Sequence, residues 1–186
     1  RSEIDLSGFA TATLEHSSGH ALRAVSTLIR QTSDEARITR GRQDNQDIEA
    51  YKLEWVENSL RANQLIGEHP LDALTRGARL DWNLTDAQAR RYVPDTREYR
   101  FDLFGTERIF NDRHSMTWSD LDDDSRSWDA VFTLPWNVGD VFAEAALGAG
   151  KLDRTRASDI RRYAFQLRGT PADVLRQPSL EDIFSD

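Results

Sequence analysis

Between Asn45 and Gly67 the chain reads NQDIEAYKLEWVENSLRANQLIG, an unbroken run without proline whose only glycine is its last residue. Its apolar residues Ile48, Tyr51, Trp55, Ala62 and Ile66 recur at spacings that keep one stripe on one face of a 3.6-residue helix. Leu53, Val56 and Leu60 widen that stripe into the broad face of a bundle helix. Asp44 or Asn45 stands where a helix cap belongs, and Asp47 and Glu49 fall in the first turn, where the helix dipole favours negative charge. Gly67 suits the left-handed residue that closes a helix. The spacing therefore predicts a helix over 45–67, with Tyr51 and Trp55 as core filler.

Other segments read the same way. Ala21, Leu22, Val25, Leu28 and Ile29 predict an amphipathic helix from about residue 19, and the end of polar Ser33–Asn45 predicts a returning loop. Pro70 opens a short helix, and Thr85 caps another that Pro94 stops. Glu98-Tyr99-Arg100-Phe101-Asp102-Leu103 alternates polar and apolar residues, which predicts a half-buried strand, with Arg108–Phe110 and Ser115–Trp118 as short partners. Residues 128–134 fit a helix and a strand equally. Asp140–Leu147 reads as a helix, followed by a joint at Gly148-Ala149-Gly150. The expected fold is mostly α: an N-terminal arm (1–18), a helical bundle (19–93), a small antiparallel β element plus helix (94–150), and a C-terminal helical hairpin with a docking tail (151–186).

Composition limits the chemistry. The 186 residues include no cysteine, which removes disulfides, thiolate metal sites and a cysteine nucleophile. The net charge is −8, and residues 94–147 hold 5 basic and 12 acidic side chains. Such acidity weighs against coating nucleic acid, which needs clustered cations. No 18-residue apolar run and no signal segment are visible, so the chain is expected to be soluble, with no membrane partner and an unknown compartment. Phosphate loops and nucleophile elbows are missing too, and the expectation leans away from an enzyme.

Three constellations remain. Asp120, Asp122 and Asp124 alternate like the opening ligands of a calcium loop, although Val131 stands where the bidentate glutamate belongs; a weak divalent-cation site is the only cofactor expected. Arg154–Arg176 has helix-turn-helix spacing, with Arg154, Arg156, Arg161 and Arg162 as phosphate contacts, but Pro171, Ala172 and Asp173 are poor base readers. Asp95, Glu98, Asp102 and His114 form a loose carboxylate set of the sort that holds a hydrolytic metal. The leading expectation is a non-enzymatic structural or adaptor subunit in a larger assembly, such as a virion or another multi-subunit complex. It would bind protein partners through Leu6 and Phe9 at one end and Leu180, Ile183 and Phe184 at the other. A DNA-binding regulator is the first alternative and a metal-dependent hydrolase or nuclease the second.

Overall fold

The computed structural model describes residues 1–110 and 114–164, and within them it corrects the helical expectation. Among the described residues there is no helix. They form one antiparallel sheet of β1 (Ser2–Glu15), β2 (Ala21–Gln43), β3 (Gln46–Pro70), β4 (Arg79–Phe104), β5 (Glu107–Phe110), β6 (Ser115–Val138) and β7 (Val141–Ala164). The order is β1-β2-β3-β4-β6-β7, each strand beside its chain neighbour, while β5 pairs with the end of β4. Five strands run for 23 to 26 residues, against 3–10 in ordinary globular sheets, and each is therefore roughly 80 Å long.

The helix expected over 45–67 is β3. It hydrogen-bonds along almost its whole length to β2 on one side and β4 on the other. That pairing outweighs the helical propensity of its Glu, Leu, Ala and Arg residues, each worth only a few tenths of a kcal/mol. Asp44 and Asn45 cap nothing. They are the two central residues of the β2–β3 hairpin, with φ of 51° and 67°, the pair of left-handed conformations of a type I′ turn. Gly67 closes no helix and lies within β3, beneath the indole of Trp82, where an added Cβ would overlap the ring.

The remaining helices fail alike. Most of polar 33–45 is the far end of β2, with the chain returning only at its end through Asp44-Asn45, and the helix expected after Thr85 is β4. Asp120, Asp122 and Asp124, read as the opening of a calcium loop, stand in the middle of β6. Gly139-Asp140 is a two-residue turn, and the supposed joint at 148–150 lies inside β7. Of the helical hairpin expected at 151–186, residues 151–164 are strand and the rest lies outside the described residues. Residues 98–103, 108–110 and 115–118 do lie in strands, as their alternation predicts, but at the ends of a sheet that extends far beyond them.

A register slip on β4 between Val93 and Thr96 marks a β-bulge at Pro94, where proline's missing N–H costs no ladder bond. Even-numbered residues of β4 share the face of Leu65 before the bulge, and odd-numbered ones after it. The shift turns Tyr99 and Phe101 toward Tyr51 and leaves Glu98, Arg100 and Asp102 on the other side. Tyr99, Phe101 and Phe110 form the buried cluster, with Tyr51 packed against it. Elsewhere large apolar side chains stand in the open: Leu6, Leu14, Phe142 and Leu147 are each about two-thirds exposed or more.

Candidate functional site

Most of the exposed apolar residues near the turns are ordered by strand parity. Cross-strand partners in a ladder project to the same face, so the register assigns every side chain to one of two faces. On the front face, β1 presents Ile4, Leu6, Gly8, Ala10, Ala12 and Leu14, and β2 presents Leu22, Ala24, Ser26 and Leu28. β3 adds Leu65 and Gly67, and β4 adds Leu80, Trp82 and Leu84. β6 presents Trp128, Ala130, Phe132, Leu134, Trp136 and Val138, and β7 presents Val141, Ala143, Ala145, Leu147 and Ala149. None of these is charged. The back face of the same strand segments mixes charged Asp5, Arg23, Glu68, Asp81, Asp129 and Glu144 with apolar Phe9, Val25, Ile66, Val131 and Phe142.

The apolar residues make an oblique band beside the turns at 16–20, 71–78 and 139–140. One ladder row runs Leu14, Leu22, Gly67, Trp82, Ala130, Ala149. On β1 that row is the end of the apolar stretch nearest the turn. On β7 it is the end farthest from the turn, since Lys151 follows on the same face. The band therefore climbs across the sheet at an angle to the strands.

Beyond the band, charge takes over the front face. Arg30 pairs with Glu57 at 2.6 Å, and Arg126 with Asp86 at 3.0 Å. Arg90 reaches both Asp120, through Nε at 2.9 Å, and Asp122, at 3.6 Å. The bond from Arg90 holds the Asp120 carboxyl below its ordinary range. Arg154 does the same for Asp123 on the back face.

At the far end the front face closes over a buried carboxylate, Glu49, whose side chain is 4% exposed. It accepts hydrogen bonds from the Tyr51 hydroxyl and Arg40 Nε, and Arg108 lies 2.7 Å away. The Arg108 guanidinium stacks over the Phe101 ring at 4.3 Å, a cation–π contact. The bond from Tyr51 foremost, with Arg40 and Arg108 behind it, outweighs burial and lowers the Glu49 pKa. A carboxylate held ionised in this way is a clamp across β2, β3 and β5 rather than a proton donor.

The residues singled out in the sequence lie as follows. Asp120, Asp122 and Asp124 share the front face of β6 at strand spacing, about 7 Å apart, with Arg90 bound to the first two. Among the described residues no group of three or more His, Asp or Glu side chains is arranged to hold a metal. Arg154, Arg156 and Arg162 are on the back face of β7, and Arg161 is on the front, so a strand divides what a recognition helix would have gathered. Asp95 binds Arg97 at 2.6 Å, and Asp102 binds Arg100 at 3.3 Å. Leu6 and Phe9 point to opposite faces of β1. Leu180, Ile183 and Phe184 lie outside the described residues. The band itself was missed, although alternation over 4–14 and 141–149 was its visible signal. No described helix is long and apolar enough to cross a membrane. Compared with protein-family models and with curated proteins, the chain matches none.

Proposed function

We propose that this sheet is part of the wall of a transmembrane β-barrel. The front-face band would meet the acyl chains, the back face would line a polar interior, and the far halves of the strands would project from the bilayer. The observation that carries this is the oblique, charge-free band. A strand tilted about 45° needs some 9–11 residues to cross the hydrocarbon. The band occupies Ile4–Leu14 on β1, Trp128–Val138 on β6 and Val141–Ala149 on β7. Its climb across the register is what tilted strands require of a layer lying level in the membrane.

Magnitude supports this reading. A charge on the lipid face costs about 2–4 kcal/mol at mid-bilayer, which explains why the front side of the band has none while the back side has many. Trp128 and Trp136 stand near its two limits on β6, where interfacial aromatics belong. An open sheet edge is not tolerated in hydrocarbon, so the outer edges of β1 and β7 would pair with further strands.

Brominated acyl chains provide the test, using variants that keep one tryptophan each. Trp128 and Trp136 should be quenched strongly, whereas Trp55 and Trp118, on the front face beyond the band, should not respond. A chain that ignores vesicles and forms a discrete, detergent-free oligomer would overturn the membrane reading. It would instead favour a structural subunit whose band is covered by protein.

A further inference from the structure

Beyond the band, β6 and β7 sort their charges by face. Asp120, Asp122, Asp124, Asp153 and Asp159 all project to the front. Arg154, Arg156 and Arg162 project to the back, where Arg91 of β4 joins them. From Ser119 to Ser127 on β6, with Thr85–Val93 on β4 and Leu152–Ile160 on β7, the back face holds one carboxylate, Asp123. The next carboxylates on this face of β4 and β6 are Glu98, the ladder partner of Lys52, and Asp129, which is bonded to Asn83.

Asp123 is already engaged. Arg154 binds it through Nε at 2.7 Å and through a second nitrogen, and its side chain is only 13% exposed. Arg156 is its ladder partner and is left beside a carboxylate whose oxygens are taken. Arg162 reaches the Thr117 hydroxyl at 3.3 Å. Among the described residues, Arg91, Arg156 and Arg162 stand in no ion pair. Three guanidiniums therefore remain in excess. Arg91 and Ser158 flank Leu121 in one ladder row, and Arg156 is the next back-face residue after Ser158 toward the band. At sheet spacing the backbones of Arg91 and Arg156 are roughly 12 Å apart. Both long side chains are exposed and share the floor made by Leu121 and Ser158.

We infer that this part of the back face binds a small solute carrying two or more oxyanion charges, a phosphate or carboxylate compound. Arg91 and Arg156 hold its oxygens, the Ser158 hydroxyl donates to them, and Arg162 adds attraction from farther along β7. This rests on the barrel-wall reading, which puts the back face inside, and adds a class of solute to it. Charge complementarity selects the occupant, because guanidiniums match carboxylate and phosphate oxygens in geometry. A nucleic acid fits less well: tight binding of that kind uses roughly 6–10 phosphate contacts, and this face has three spare cations.

The test is calorimetric titration, at low salt, of the chain folded in phosphatidylcholine vesicles. Pyrophosphate and citrate are the probes, and the tighter of the two assigns the solute to phosphates or carboxylates. R91Q/R156Q should weaken binding about tenfold or more. R162Q should weaken it about threefold, whereas R161Q, the adjacent residue on the front face, should leave it unchanged. Quenching of Trp128 and Trp136 by brominated acyl chains checks that each variant is folded in the bilayer. No binding of either probe, equal losses in R161Q and R162Q, or tighter binding of a short DNA duplex overturns the inference and leaves the wall intact. A wild type whose Trp128 and Trp136 escape quenching overturns the wall, and with it a site inside a barrel.

Discussion

Ala145→Arg should cost about 2–4 kcal/mol of stability in a bilayer, whereas Ala146→Arg, one residue along the same strand, should cost little. Ala145 is the middle residue of the band on β7 and shares its face with Ala143 and Leu147; Ala146 shares the opposite face with Glu144. The two substitutions are chemically identical and differ only in strand parity. In water both would be nearly silent, because β7 is exposed along almost its whole length. The contrast therefore reports the solvent that each face meets. Urea titration of each variant folded in phosphatidylcholine vesicles, followed by tryptophan emission, measures it. Equal and small effects at both positions would mean that neither face is in contact with lipid.

The second large effect is expected at Glu49, far from the band. Glu49→Ala removes the acceptor shared by Arg40, Tyr51 and Arg108. It also leaves a guanidinium held against aromatic rings without its counter-charge. Breaking a fully buried pair costs about 3–5 kcal/mol. Arg108 is 42% exposed and can turn toward water, so a loss of about 2–3 kcal/mol is expected. The same clamp predicts an acid limb. The folded-state pKa of Glu49 lies below its ordinary 4.5. Its contribution is then complete above the unfolded pKa and is lost as pH falls through the lower folded value. Glu49→Gln should flatten stability against pH across that window. Denaturation from pH 6 to pH 3 checks both variants, and an acid limb unchanged in Glu49→Gln would refute the clamp.

Parity also explains what could be read in the sequence. Glu98–Leu103 was legible because Tyr99 and Phe101 are buried while Glu98, Arg100 and Asp102 share the polar side. β3 was not. Its apolar residues are divided between two faces, Ile48, Ala62 and Ile66 on the back and Tyr51 and Trp55 on the front, so their spacing along the chain imitates a helical stripe that the strand does not have. β7 was hidden by its small residues: alanine reads as a helix former, and Gly148 and Gly150 read as a joint. The alternation of Val141, Ala143, Ala145 and Leu147 is real but weak, as in any strand whose apolar face need only avoid charge rather than fill a core. The acidic run at 120–124 misled for a related reason. Consecutive carboxylates suggest a loop, yet here Asp120 and Asp122 on one face and Asp123 on the other are matched by arginines from neighbouring strands. Cross-strand pairs of that kind become visible only once the register is known.

The absence of cysteine makes the central claim testable at single-residue resolution. Single cysteines from Val141 to Gly150, each carrying a nitroxide label in vesicles, would be scored for collision with oxygen, which concentrates in lipid, and with a water-soluble nickel chelate. A membrane-facing band predicts a two-residue rhythm: oxygen collisions peak at 143, 145 and 147, and nickel collisions at 144, 146 and 148. Nickel access of equal strength at both parities would place both faces of β7 in water and contradict the barrel wall.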